Sequence, residues 1–214
     1  MLSKLLASAA AGGLGLTWYM GGFNPVEVAD TEIGKQIFLY KEHQGDYKNR
    51  GAVINTVRSD FSNFPKKSFT YTGIYMDNPN YIKDKNQERA VIGGLFSLGL
   101  KDQVDKFLSK HPEYHSVELK KMHASKVEYP YKNNLTYNFM NWMGLYKKLG
   151  SYSRDVKKTA TEGRYVVEKY NFINGGENTV EVLIPYGEHS SQLNLSTLPN
   201  PTKKDKLHHA YFTP

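Results

Sequence analysis

The chain has 214 residues, a length that fits one domain with an additional segment. Its hydrophobic fraction of 39%, with 16 tyrosines and 10 phenylalanines, is typical of a folded protein. The absence of cysteine excludes disulfides, thiolate nucleophiles and cysteine-ligated metals. The formal charge of +7 is spread along the sequence without a long basic block, so we expect no nucleic acid among the partners.

The first feature in chain order is an uncharged stretch over residues 5–23. At about 1.5 Å per residue, a helix of this length approaches the roughly 30 Å hydrocarbon core of a bilayer. Trp18 and Tyr19 lie near one end, where interfacial aromatic residues are common. The stretch predicts a transmembrane anchor over residues 1–24, and a cleaved signal peptide stays open as an alternative.

Small residues recur at a spacing of four in this stretch. Small residues so spaced let another helix approach closely in a membrane. We therefore expect the lipid bilayer and other transmembrane subunits of a larger complex as partners, with helix packing at four positions: Ser8, Gly12, Gly13 and Gly15. Lys4 on one side, with acidic residues on the other, places the domain across the membrane from the amino terminus.

Strands and helices then alternate over residues 25–189. Strands are predicted at residues 37–43, 70–75, 90–96, 122–129, 164–172 and 179–185. Helices are predicted between Tyr47 and Phe61, around Val104, and from Leu135 to a stop at Gly150. A strand–helix–strand–strand order thus occurs twice, which predicts an α+β domain. Residues 190–214 show no periodicity and are expected to form an extended tail.

Several short motifs carry a resemblance to a known family. In chain order they are Tyr40–Tyr47, Gly73–Pro79, Arg89–Gly93 and Glu168–Tyr170, with the turn residues Asp77-Asn78-Pro79-Asn80 inside the second. Over residues 33–187 the sequence resembles the GyrI-like (gyrase-inhibitor-like) small-molecule-binding domain. Within it, the sequence is most similar to the membrane-anchored branch of the testis-expressed ER-phagy receptor. The resemblance implies a duplicated fold with a cleft between its halves that takes a small molecule.

Glu168 is the main candidate side chain. On its predicted strand it shares a face with Val166, Tyr170 and Phe172, and a carboxylate on an apolar face points to a ligand or to a cationic partner in the protein. The resemblance implies that an acid in this region meets the ligand. Three aromatic residues are expected to complete the cleft: Tyr40, Tyr75 and Trp142.

The sequence predicts no metal site and no cofactor. None of the seven histidines has a metal-ligand spacing, and phosphate-binding or nucleophile motifs are absent. We therefore expect a non-enzymatic protein that acts as an accessory subunit of a membrane complex. A respiratory complex of the mitochondrial inner membrane is preferred, with the domain in the intermembrane space.

Two other functions stay open. The first is an adaptor anchored in the endoplasmic reticulum whose cleft binds a small amphiphile or a protein. The second is a GyrI-like hydrolase in which Glu168 takes part in catalysis.

Overall fold

The computed structural model describes residues 2–19, 26–65, 67–131, 136, 139, 144–157, 165–172, 178–187 and 189–202. The strands in these ranges are β1 (Ala29–Ile33), β2 (Gln36–Gln44), β3 (Phe69–Tyr75), β4 (Arg89–Phe96), β5 (His115–Leu119), β6 (Met122–Pro130), β7 (Val166–Asn171) and β8 (Thr179–Tyr186). They pair antiparallel in one sheet with the order β1-β6-β8-β7-β3-β4-β2-β5. The main helices are α1 (Leu2–Tyr19), α2 (Arg50–Asp60), α3 (Lys101–Leu108) and α4 (Leu145–Lys157).

The sheet consists of two copies of one unit. The first copy is β2-α2-β3-β4 and the second is β6-α4-β7-β8. The copies meet where β3 pairs with β7, and the outer strands follow in mirrored order on each side. The predicted α+β class and the duplicated strand–helix–strand–strand order are thereby confirmed.

α4 ends later than predicted. The sequence predicts a stop at Gly150, but the helix continues to Lys157 because its apolar face packs on β6 and β8. Leu145, Leu149 and Ser153 recur every four residues on the buried side, and Gly150 is buried beside them. This packing outweighs the roughly 1 kcal/mol helix penalty of a glycine. The positive φ of +69° belongs instead to Gly144, just before the helix.

The helices α2, α3 and α4 cover one face of the sheet. Under α4 lies an apolar cluster that includes Tyr75, Leu149 and Tyr170. Under α2 and α3 lies a second cluster rich in phenylalanine, centred on Phe61 and Phe96. The two helices that belong to the duplicated units, α2 and α4, therefore lie on the same side of the central β3–β7 pair.

The opposite face carries a third apolar cluster that includes Phe38, Tyr40 and Leu183. Residues 189–202, which we call the strap, run over this face and bury Leu193 against it. Glu42 of β2 holds the strap by accepting hydrogen bonds from the backbone N–H and the hydroxyl of Thr197, at 3.1 and 2.8 Å. The strap thus closes the side of the sheet that the helices leave uncovered.

α1 is a helix of 18 residues, as the sequence predicts, but its role as a membrane anchor is not supported. Among the described residues, the structure contains no helix that is both long enough and apolar enough to span a bilayer. Much of α1 is alanine and glycine, which contribute little hydropathy. A Cβ placed at Gly12, Gly13 or Gly15 would meet no atom within 4 Å, and the side chain of Ser8 lies outside the described residues.

Candidate functional site

A cleft opens where the two copies of the unit meet. It lies between α2 and the central strands β3 and β7, and it encloses ≈ 660 Å³ including its open mouth. Its enclosed part measures ≈ 100 Å³, so the cleft is small and opens to solvent at its mouth. We call this space the cleft; its walls include Gly51, Ile54, Asn55, Val57 and Arg58 of α2, Tyr71, Gly73 and Tyr75 of β3, and Tyr131, Tyr170 and Phe172.

The strand register brings the tyrosines of the cleft together. Tyr71 pairs with Tyr170 and Gly73 pairs with Glu168 across the β3–β7 ladder. Directly paired residues point to the same face of a sheet, so the side chains of Tyr71, Tyr75, Glu168 and Tyr170 share the helix-covered face. Gly73 has no side chain between them. A Cβ at this position would lie 3.1 Å from the ring of Tyr75, so the glycine keeps the cleft floor open.

Aromatic rings pack edge to face around the cleft. The rings of Tyr47 and Tyr75 lie 5.1 Å apart between centroids, and those of Tyr131 and Tyr170 lie 5.5 Å apart. Edge-to-face pairs at these distances are mutually attractive and restrict ring motion. The cleft walls are therefore largely aromatic, and their polar groups come from the tyrosine hydroxyls and from Asn55, Arg58 and Thr72.

Glu168 is buried beside the cleft, with 2% of its surface exposed. Its Oε1 accepts a 2.7 Å hydrogen bond from the hydroxyl of Tyr146, and its Oε2 accepts a 2.5 Å hydrogen bond from the hydroxyl of Tyr170. A buried carboxylate needs such donors, because burial removes the water that would otherwise solvate it. Glu168 thus fixes the orientation of Tyr170, and Tyr170 in turn lines the cleft.

The acidity of the cleft tyrosines follows from this arrangement. Burial raises the pKa of Tyr170 well above its usual value, and the nearby charge of Glu168 raises it further. Burial also raises the pKa of Tyr131. Both hydroxyls therefore stay protonated at neutral pH and act as hydrogen-bond donors.

Two arginines on α2 flank the cleft. Arg50 and Arg58 are two helical turns apart, so they point to the same side of the helix. The guanidinium of Arg50 lies 5.6 Å from the ring centroid of Tyr75, and that of Arg58 lies 5.2 Å from the ring centroid of Phe172. Each arginine therefore covers a face of an aromatic ring at the edge of the cleft.

A shallow groove continues from the cleft along the ends of β3 and β7. It encloses ≈ 1280 Å³ including open solvent, and it shares Tyr71, Tyr170 and Phe172 with the cleft. Phe61, Phe64, Phe69 and Lys67 form its far wall. A molecule longer than the cleft could extend into this groove.

The structure does not bring all four candidate cleft residues together. Tyr75 lines the cleft and Glu168 lies behind its wall. Tyr40 lies on the opposite face, stacked on Phe38, and its hydroxyl reaches the carbonyl of Leu195 in the strap at 3.4 Å. Trp142 lies outside the described residues.

The contribution of α2 to the cleft is not among the predictions from the sequence. The signal was present as Arg50, Ile54 and Arg58 at intervals of four, which place three side chains on one face of a helix. No cluster of three or more histidine, aspartate or glutamate residues suitable for a metal occurs in the part of the chain that the structure describes.

Among the comparisons with known proteins, only the comparison with solved structures finds similar chains. The sequence matches no protein-family model and no curated protein. The C-terminal domain of EcmrR is similar at 14% identity and a TM-score of 0.47, over 76% of this chain and 98% of that one. SAV2435, solved with bound tetraphenylphosphonium, gives 9% identity and a TM-score of 0.48 over 75% and 94% of the two chains. A hydrolase from Listeria innocua gives 10% identity and a TM-score of 0.41 over 80% and 98%. Similarity at this level assigns no function to the chain.

One expectation about partners is corrected. The sequence predicts no nucleic acid among the partners, but one similar structure is a cryo-EM complex of EcmrR with DNA, at 12% identity and a TM-score of 0.47. That match covers 86% of this chain and 68% of EcmrR. The exclusion of nucleic acid is therefore withdrawn. The match itself does not assign DNA binding to this chain.

Proposed function

We propose that the chain is a GyrI-like small-molecule-binding domain, with the cleft as its binding site. The observation that carries the proposal is the cleft at the junction of the duplicated units, walled mainly by aromatic rings that carry phenol hydroxyls. Concave, mostly apolar sites with a few oriented polar groups suit flat organic molecules. Its place in the branch of the testis-expressed ER-phagy receptor stays a prediction.

Binding is favoured over catalysis by the position of Glu168. Both of its oxygens are engaged by tyrosine hydroxyls, and it does not line the cleft. A general base has to reach the proton that it removes, directly or through one water. Among the residues that the structure describes, Tyr170 lies between Glu168 and the cleft, so Glu168 does not reach a molecule bound there. Hydrolase activity is therefore the weaker proposal for the function of this chain.

Filling the cleft is expected to weaken binding. Gly51 lines the cleft, and a Cβ at this position would meet nothing within 4 Å, so a larger side chain fits without displacing the fold. Gly51→Leu is expected to weaken the binding of the neutral dye N-phenylnaphthylamine by about ten-fold or more, a loss of about 1.4 kcal/mol. Fluorescence titration of the purified full chain measures this affinity.

Gly51→Ala is the matched control. Alanine favours a helix over glycine and occupies little of the cleft, so dye affinity is expected to stay within about two-fold of wild type. Equal binding by the wild type and Gly51→Leu would show that the dye does not use the cleft. No saturable binding of the dye by the wild type would also count against the proposal.

A second function, as an accessory subunit of a larger complex, is favoured by the surface of α1. Leu14, Leu16 and Trp18 are 61%, 57% and 73% exposed. Leu14 and Trp18 lie one turn apart on the same side of α1, and exposed apolar side chains that share a helix face are typical of a surface that contacts another molecule. The proposed mitochondrial address, and the endoplasmic reticulum as its alternative, rest on the sequence and stay predictions.

Gly12→Leu is expected to release the chain from such a complex, because a leucine would keep a neighbouring helix from packing closely on the small-residue side of α1. A native gel after extraction in mild detergent is expected to show the wild type in a large particle and the variant as a monomer. Gly34→Leu, at another open glycine position, is the matched control and is expected to leave the particle intact. A monomeric wild type would contradict this proposal.

A further inference from the structure

The charges around the cleft are one-sided. Among the described residues that line the cleft and the groove, the charged side chains are Arg58 and Lys67, and no aspartate or glutamate is present. Neither cation forms an ion pair with a described carboxylate. The nearest acid described at the cleft, Glu168, is separated from it by Tyr170 and is already bonded to two hydroxyls. The accessible charge in this site is therefore positive.

The aromatic rings do not offset this charge. A ring face attracts a cation through its quadrupole, so a tyrosine-lined cleft could by itself favour a cationic ligand. Here the protein supplies the cations. Arg50 covers Tyr75 and Arg58 covers Phe172, both at less than 6 Å from the ring centroid. A cationic ligand would have to approach these guanidinium groups and would be repelled by them.

Arg58 is held where the cleft joins the groove. It lies 5.2 Å from the ring centroid of Phe172 and close to Tyr71, two residues that line both spaces. A guanidinium has five N–H donors in a planar fork that matches the two oxygens of a carboxylate or the oxygens of a sulfonate. The contact with Phe172 orients this fork before any ligand arrives.

We propose that the cleft takes an organic anion, whose flat aromatic body lies among the tyrosines and whose carboxylate or sulfonate group is bound by Arg58. The inference rests on the proposed function of the cleft and specifies the ligand class. Lys67, in the groove, adds a second positive charge along the path of entry. The remaining length of a longer ligand would lie in the groove against Phe69 and Phe172.

Three probes that share one anilinonaphthalene body test the sign of the charge: anilinonaphthalene sulfonate, neutral N-phenylnaphthylamine, and an anilinonaphthalene that carries a trimethylammonium group in place of the sulfonate. The wild type is expected to bind the sulfonate about five-fold more tightly than the neutral dye, and the cation more weakly than either. Arg58 is exposed, so the preference is modest and is expected to shrink as salt is added. Fluorescence measures the two dyes, and displacement of the neutral dye measures the cation.

Arg58→Gln is expected to remove the preference for the sulfonate while leaving the affinity for the neutral dye within about two-fold. Arg154→Gln is the matched control, since Arg154 is an exposed arginine on α4 that pairs with Asp155. It is expected to keep the full preference. Arg58→Lys keeps the charge but not the planar fork, and is expected to retain part of the preference.

A cation that binds the wild type as tightly as the sulfonate would overturn the inference, and so would a sulfonate preference that survives in Arg58→Gln. In both cases the proposed function stands if Gly51→Leu still blocks the neutral dye. If the cleft is not the binding site, the result is different: Gly51→Leu then changes the affinity for none of the three probes. The salt dependence of the wild type tests the same charge without any substitution.

Discussion

Replacing Asp77 with alanine is expected to lower the free energy of unfolding by about 2–4 kcal/mol, because it leaves a partly buried arginine without its counter-charge. Asp77 and Arg89 form an ion pair at 2.9 Å, with 4% and 11% of their side chains exposed. The contact is two-pronged, since Nε of Arg89 donates to Oδ2 and Nη2 donates to Oδ1. The backbone N–H of Arg89 also donates to Oδ2, so one carboxylate accepts three hydrogen bonds.

The same pair anchors the strap. Nη1 of Arg89 donates a 2.8 Å hydrogen bond to Oδ1 of Asn200, which lies near the end of the strap. A guanidinium that loses Asp77 is expected to turn toward water, and the bond to Asn200 would be lost with it. The effect of the substitution therefore extends from the β3–β4 hairpin to the opposite face of the sheet.

Urea denaturation of the full chain measures the loss of stability, and limited proteolysis measures release of the strap. Asp84→Ala is a matched control in the same loop, where the carboxylate accepts one exposed backbone hydrogen bond, from Asn86. The control is expected to lose about 1 kcal/mol or less and to leave the strap protected. An Asp77→Ala variant as stable as this control would show that the pair contributes nothing beyond an exposed contact.

The apolar residues of the sequence are sufficient to predict the inner strands but not the outer ones. Each strand of the duplicated units has at least four buried residues, and the sequence predicts all six strands. β1 and β5 are missing from the prediction because each has a single buried residue, Ile33 or Leu119. β1 is a strand because it pairs with β6, and β5 because it pairs with β2. Such pairing depends on the tertiary structure and not on the local sequence.

Which side chains line the cleft depends on the strand register. The alternation of apolar residues along a strand does not determine this register. Tyr40 pairs with Gly93, and Gly93 pairs with Thr72, so Tyr40 shares a face with Thr72 and not with Tyr75. A shift of one residue in either ladder would have placed Tyr40 in the cleft. Glu168, by contrast, needed only the pattern of its own strand to be found on the face of Tyr170.

The function of Glu168 in this arrangement is to position Tyr170. Its removal is therefore expected to lower the stability of the protein without removing a direct contact with the ligand. Glu168→Ala leaves the hydroxyls of Tyr146 and Tyr170 without their acceptor in a buried site. An unsatisfied buried hydroxyl costs about 1–3 kcal/mol. Part of this loss is offset because the folded variant no longer has to bury a charge. We expect the free energy of unfolding to fall by about 2–3 kcal/mol.

Glu168→Gln separates the two effects, because the amide still accepts one hydrogen bond and can donate another to a rotated hydroxyl. Urea denaturation is expected to show a loss of about 1 kcal/mol, with the affinity for N-phenylnaphthylamine within about two-fold of wild type. In a double-mutant cycle, Glu168→Ala and Tyr146→Phe are expected to couple by about 1 kcal/mol, since each removes the hydrogen bond between these two side chains. A variant of full stability that no longer binds the neutral dye would show instead that Glu168 contacts the ligand directly. The buried carboxylate would then be part of the binding surface and not its support.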